Sequence, residues 1–272
     1  MPANAEHAVQ IRDLHFSYGD LHLLRGLSLD IPHRRVIAIL GGSGSGKSTL
    51  LKIIGGQLHP SAGSVIVQGQ NIHELDAKAL YKLRLGMGMM FQTSGLFTDL
   101  SVFDNIAFPI RENFDVPMPL LRRLVLMKLQ TVGLRGARDM MPGDLSGGMA
   151  RRVALARAIA TDPKIMMYDE PFAGLDPISL TQVGQLIRTL NEALGLTTIL
   201  VTYQVKLALE VADYAYMIGD GRVVGQGTPQ ELTSSSDPYI HQFINALPDG
   251  PVRFHFPGPS LEEDLRFATP PA

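Results

Sequence analysis

The stretch Val36-Ile37-Ala38-Ile39-Leu40-Gly41-Gly42-Ser43-Gly44-Ser45-Gly46-Lys47-Ser48-Thr49 decides the reading of this 272-residue chain. Its first five residues are a continuous apolar run, the pattern of a short strand buried on both faces. A glycine-serine loop follows, and a helical stretch over residues 47–54 opens on the lysine. Residues 41–48 fit G-x-x-x-x-G-K-[ST], which chance places in roughly one or two of a hundred chains of this length. Such glycines let consecutive backbone N–H groups wrap phosphate oxygens at a helix N-terminus, whose dipole favours negative charge. Lys47 then reaches the β- and γ-phosphates of a nucleotide, and the Ser48 hydroxyl ligates Mg²⁺. Gly41, Gly42, Ser43, Gly44, Ser45, Gly46, Lys47, Ser48 and Thr49 are the candidate nucleotide-binding residues.

Downstream, Ile165-Met166-Met167-Tyr168-Asp169-Glu170 places two acids just past a second buried strand. Alone, a strand ending in Asp-Glu reads as a solvated turn. Beside a phosphate-binding loop, that position faces the phosphates. Asp169 is then a ligand of Mg²⁺ and Glu170 orients the attacking water. The same parallel-strand pattern recurs at residues 87–91 and 197–201. Residues 9–16, 27–31 and 63–69 read as further strands, and residues 76–85 as a helix with Asp76 as its N-cap. Between about residues 93 and 160 the pattern turns helical, interrupted by prolines at 109, 117 and 119, with an amphipathic helix over 119–132. The reading is an α/β core with a helical insert.

Composition excludes several classes. No cysteine is present, which removes disulfide scaffolds and cysteine-based zinc or redox sites. No run of 18 apolar residues reads as a membrane span, and the first residues lack the basic-then-apolar pattern of a signal peptide. With 24 basic against 26 acidic residues, no global field draws the chain to nucleic acid.

Leu145-Ser146-Gly147-Gly148-Met149-Ala150-Arg151-Arg152 heads the last helix of the insert. With it the chain resembles an ABC-transporter nucleotide-binding subunit over about residues 9–245. The resemblance implies a P-loop NTPase (RecA-like) α/β fold of the ABC ATPase type, with an N-terminal antiparallel β-subdomain and an inserted helical subdomain. Residues 7–92 and 161–246 would form the ATP-binding core with its β-subdomain, 93–160 the helical subdomain, and 247–272 a tail. It also implies ATP and Mg²⁺ as ligands and a homodimer with two ATP molecules sandwiched between protomers. Ser146, Gly147 and Gly148 would then act in trans, on ATP held by the partner; Met149 stands where the family has glutamine.

Further positions match one by one. Tyr18 lies where an aromatic ring stacks on adenine, although a core tyrosine is the competing reading. Gln92 lies where a glutamine contacts Mg²⁺ and links the ATP site to the permease. Gly174-Leu175-Asp176 matches the loop that crosses the dimer interface. Tyr203-Gln204 does not match, because the family places His-Asp there and its histidine touches the γ-phosphate. No histidine stands between His73 and His241 to take its place. The expectation is normal ATP binding and dimerisation with slowed hydrolysis; the alternative is compensation by the tyrosine hydroxyl or a neighbour. The catalytic set is Glu170, Gln92 and Tyr203, and the metal set Ser48, Gln92 and Asp169.

Residues 92–105, LSGGMARR and Asp249-Gly250-Pro251-Val252 resemble, more narrowly, the ATPase subunits of the Mla phospholipid transport systems (maintenance of lipid asymmetry). That implies a peripheral motor on the cytoplasmic face of the inner membrane, driving phospholipids between the two membranes of a Gram-negative bacterium. Its partners would be a membrane permease, a periplasmic lipid-binding subunit and a small cytoplasmic accessory protein. Leu96, Phe97 and Val102 would line the groove for the permease, or simply pack under the insert. Residues 248–259 would strap the dimer, or fray. Two rival functions remain: the ATPase of an importer for a small polar solute, and an ATP-binding regulator slowed by Tyr203.

Overall fold

The computed structural model describes residues 6–252. Ten strands and nine α-helices alternate among them. An antiparallel sheet is built from β1 (His7–Tyr18), β2 (Leu21–Pro32), β4 (Ala62–Val67) and β5 (Gln70–Asn71), in the order β2-β1-β4-β5. A second, six-stranded sheet is built from β3 (Val36–Gly41), β6 (Met87–Met90), β7 (Ile165–Asp169), β8 (Thr197–Val201), β9 (Tyr214–Gly219) and β10 (Arg222–Gly227). Its order is β10-β9-β3-β8-β7-β6, parallel except for the β9–β10 pair.

The two sheets explain the two apolar patterns. Every residue of β3, β7 and β8 is buried. Because side chains alternate across a strand, Val36, Ala38 and Leu40 pack into one core and Ile37 and Ile39 into another. The first core is completed by α3 (Val102–Asn113), α4 (Met118–Thr131), α5 (Gly147–Ala158), α6 (Pro177–Leu194) and α7 (Val205–Val211). The second lies between the two sheets and encloses α1 (Lys47–Ile54). Asp76 caps α2 (Ala77–Arg84) through an Ala79 N–H at 2.7 Å. The short α8 (Pro229–Thr233) and α9 (Pro238–Asn245) close the C-terminal side.

Two sequence readings change, at Pro109 and at the groove residues. Pro109 does not interrupt a helix: α3 runs through it to Asn113, whose side chain donates to the Pro109 carbonyl at 2.7 Å. The missing N–H costs only one bond close to the helix end. Pro117 and Pro119 sit at the start of α4, where a helix has N–H groups to spare. Val102 is fully buried and Leu96 packs on the same core, so of the three groove residues expected only Phe97 is exposed. The tail reading falls mostly on residues 253–272, outside the described residues. Up to Val252 the chain is held by Gln242, which accepts from the Val252 N–H at 2.8 Å and donates to its carbonyl at 3.0 Å.

Tyr168 is fully buried, and among the described residues its hydroxyl has no hydrogen-bond partner. Burial pushes its phenol up from the ordinary value. An orphaned buried hydroxyl costs folding free energy, so Tyr168→Phe is expected to stabilise the chain by about 1 kcal/mol. Thermal denaturation checks this; an unchanged or lowered Tm would mean that the hydroxyl is satisfied.

Candidate functional site

The glycine-rich loop joins the end of β3 to the start of α1, as the opening stretch requires. Gly44 and Gly46 have φ of +76° and +95°, a region that side chains with a Cβ rarely enter. A Cβ on Gly46 would also meet Leu24 Cδ2 at 2.8 Å. Lys47 is 7% exposed and donates from Nζ to the carbonyls of Gly41 and Gly42 at 2.9 and 2.8 Å. That occupies two of its three donors and leaves one for a phosphate oxygen. Burial lowers the Lys47 pKa, and the carboxylates of Glu170 and Asp169 oppose that shift. The Ser45 hydroxyl is buried with no partner among the described residues, an orphan of the kind that a bound anion would satisfy.

Across from α1, the end of β7 delivers the two acids. Ser48 Oγ donates to Asp169 Oδ1 at 2.7 Å. Gln92 lines the same cleft. A hydroxyl, one carboxylate and an amide oxygen are hard donors that suit Mg²⁺, which is held largely by phosphates and water rather than by a protein cage. The residues therefore fit that cation.

Glu170 is buried and turns the chain with φ +49°, and it lines the cleft. Strain of this kind is concentrated at functional sites. Its N–H donates to the Val201 carbonyl at 2.9 Å, and its Oε2 accepts from the Tyr203 N–H at 3.2 Å. Burial raises its pKa; hydrogen bonds from the Thr202 hydroxyl and the Tyr203 N–H pull the other way. The Tyr203 backbone thus positions Glu170 whatever side chain residue 203 carries, while its exposed ring lines the cleft.

The cleft measures about 450 Å³ and is lined by Tyr18, Leu21, Leu23, Ser43, Gly44, Gly46, Lys47, Ser48, Thr49, Gln92, Glu170 and Tyr203. Tyr18 is 47% exposed and stands edge-on to Phe16, which removes the core reading of that tyrosine. Gly41 and Gly42 do not line this cleft; they line a neighbouring cavity with Tyr203 and Gln204, and their carbonyls hold the Lys47 ammonium.

Ser146, Gly147 and Gly148 do not line the cleft of their own chain. Ser146 caps α5 by accepting from the Met149 N–H at 3.3 Å. A Cβ on Gly148 would meet Ser179 Oγ at 2.8 Å, so close helix packing explains that glycine. Nothing lies within 4 Å of a Cβ at Gly147. Among the described residues no contact requires a glycine there.

Sequence reading missed four residues that shape the site. Leu21 and Leu23 flank Tyr18 on the hairpin strand, and Thr202 bonds Glu170. Arg151, 8% exposed, donates to the carbonyls of Phe91 and Gln92 and, at 2.9 Å, to that of Ala173. It joins α5, the loop that carries Gln92 and the loop entering α6. The signal was an arginine inside an otherwise apolar helical face.

Residues 24–173 match the family model of the ABC transporter. The chain is 50% identical over 260 residues to the intermembrane phospholipid transport system ATP-binding protein MlaF of Haemophilus influenzae, covering 96% of this chain and 98% of that protein. Among solved structures, cbiO1 from Clostridium perfringens, part of the ABC transporter complex cbiONQ, superposes with a TM-score of 0.79 at 32% identity. It covers 89% of this chain and 96% of its own. A dimeric ATP-binding cassette in a post-hydrolysis state with ADP and Pi superposes with a TM-score of 0.75 at 30% identity, covering 81% of this chain and 98% of its own. The chain belongs to the ABC transporter family, as an ATP-hydrolysing cassette.

Proposed function

We propose that this chain is the motor subunit of a transporter that moves phospholipids between the inner and outer membranes of a Gram-negative bacterium. The observation that carries the reading is the nearly end-to-end likeness to a protein named for intermembrane phospholipid transport, joined to a complete phosphate cleft. No described helix is long and apolar enough to cross a membrane. By its likeness to the phospholipid transport ATP-binding protein, the motor would act at the cytoplasmic face of the inner membrane, on a separate permease.

Each residue then has a task. Tyr18 stacks on adenine, and the amides of residues 42–48 hold the phosphates, with Lys47 completing the cradle. Ser48, Asp169 and Gln92 hold Mg²⁺, which when bound neutralises charge on the β- and γ-phosphates. Glu170 takes the proton of the attacking water, and its raised pKa makes it a better base at neutral pH. Gly147, whose lack of a side chain nothing among the described residues explains, meets the γ-phosphate held by a second copy, together with Ser146 and Gly148. That arrangement needs a homodimer. A periplasmic lipid-binding subunit and a small cytoplasmic accessory protein would complete the assembly, around the division into residues 7–92 with 161–246, 93–160 and 247–272.

The permease would dock in a groove of about 440 Å³ lined by Arg84, Met89, Phe97, Phe108, Pro109 and Arg157, among others. Phe97 and Phe108 are 40% exposed, and their ring centroids stand 4.8 Å apart. Buried aromatic anchors dominate binding energy. Phe97→Glu is therefore expected to weaken permease association at least tenfold while ATP binding is kept. Co-purification and nucleotide titration check this, and undiminished assembly would place the permease elsewhere.

The cargo is tested on the complex in liposomes, offered labelled phospholipid and a labelled small polar solute. ATP-dependent movement of the lipid supports the reading. Movement of the polar solute alone overturns it.

A further inference from the structure

Gln92 stands just beyond the end of a strand. The β6–β7 ladder closes at Met90 opposite Tyr168, one residue short of Asp169. Past that pair, and among the described residues, Gln92 takes part in one hydrogen bond, in which its carbonyl accepts from Arg151. Its side chain is exposed and lines the cleft. A side chain on such a segment is aimed by its backbone. Farther along the loop, Arg157 takes the carbonyls of Ser94 and Gly95, so the hold on Gln92 itself is that of Arg151.

Arg151 binds this segment to the opposite wall of the site. From Nη1 it donates to the carbonyl of Phe91 at 3.3 Å and to that of Gln92, and from Nη2 to that of Ala173 at 2.9 Å. Ala173 closes the turn behind the two acids, since its N–H donates to the Glu170 carbonyl at 3.2 Å. One planar guanidinium therefore spans the ends of β6 and β7 where their ladder has stopped.

The residue type is an expensive one to place there. Arg151 is 8% exposed, and among the described residues it pairs with no carboxylate. A buried charge without a counter-ion destabilises a fold unless several dipoles solvate it. Three carbonyls do so here. A glutamine would offer two donors to those three acceptors, and a lysine would keep the charge without the planar fork.

We infer that Arg151 is a positioning residue for the metal site: by tying Gln92 to the turn behind Asp169 and Glu170, it sets how tightly Mg²⁺ is held between them. The inference rests on the reading of Gln92 as a metal ligand. Arg151 does not line the groove assigned to the permease, so the free chain is enough for the test.

Mg²⁺ is titrated at fixed, saturating ATP for wild type, Arg151→Lys, Arg151→Gln, Gln92→Ala and the double variant of Arg151→Lys with Gln92→Ala. Turnover is one readout. The other is the rise in Tm given by ATP with Mg²⁺ over that given by ATP with a chelator. Both Arg151 variants are expected to raise the apparent Mg²⁺ constant about tenfold, the usual cost when a metal ligand loses its support. They should shrink the Mg²⁺-dependent rise in Tm and keep the rise given by ATP with chelator. Gln92→Ala should do the same, and the double variant should be no worse than Gln92→Ala, because the two residues act as one unit. If Arg151→Gln does not fold, Arg151→Lys carries the test. An unchanged Mg²⁺ constant in a folded Arg151 variant overturns the inference, and with a lowered Tm it marks a purely structural arginine. Losses that multiply in the double variant overturn it as well. An unchanged Mg²⁺ constant in Gln92→Ala overturns the reading of Gln92 itself, and this inference with it.

Discussion

Replacing Glu170 by glutamine is expected to lower Mg-ATP turnover by two to four orders of magnitude, roughly the worth of a positioned general base. Glutamine keeps the shape of the side chain and can still accept from the Tyr203 N–H, which holds Glu170 at 3.2 Å. ATP binding should therefore stay within about threefold, because the phosphate cradle of residues 41–49 is untouched. The pH profile carries a second signature. Burial raises the Glu170 pKa, so the acid limb of kcat/KM should lie above the ordinary glutamate range and vanish in the variant. The stability effect runs with a definite sign. Folding disfavours the charged form, so wild type loses stability as pH rises from the unfolded pKa of Glu170 to its raised folded one. Glu170→Gln should thus be the more stable protein at pH 8, with the gap closing toward acid. Turnover within a fewfold of wild type would show that Glu170 is not the base.

Tyr203→His is expected to raise turnover, by about 10²–10³ where the histidine restores a preorganised donor to the developing phosphate charge. The structure separates the two roles of residue 203. Its N–H bonds Glu170 and is kept by any non-proline residue; its ring lines the cleft. A phenol is bulkier than imidazole and offers one donor. The gain should appear in kcat, with ATP affinity little changed. Single-turnover hydrolysis with the two proteins side by side measures it. Equal rates would mean that the Tyr203 hydroxyl or a neighbour already supplies the donor.

Much of the architecture was legible because its signals are local. The run at residues 36–40 can be buried on both faces only in a covered parallel strand, and the glycines at 44 and 46 announce a backbone that needs positive φ. Helix α1 and strand β8 fall within the spans that their patterns imply. Strand β9 escaped notice because a short apolar run such as Tyr214-Ala215-Tyr216-Met217-Ile218 has no periodicity to separate it from a helix. Edge strand β10, exposed at every other residue and carrying Gly225 and Gly227, gives a weaker signal still. The phosphate-loop motif led to Lys47, Ser48, Asp169 and Glu170 around one cleft, since it fixes which strand ends face the loop, whereas Gln92 was reached only through the family resemblance. The carbonyl-binding arginines and the burial of Val102 depend on how α3, α5 and the loop between residues 91 and 101 meet. That information is tertiary.

The most direct measurement is Mg-ATP hydrolysis by the reconstituted complex, made together with transfer of labelled phospholipid between membranes, for wild type and Glu170→Gln. The account predicts hydrolysis coupled to lipid transfer in wild type and loss of both in the variant, with ATP still bound. ATP bound firmly without turnover in wild type, or lipid transfer that survives Glu170→Gln, would contradict it.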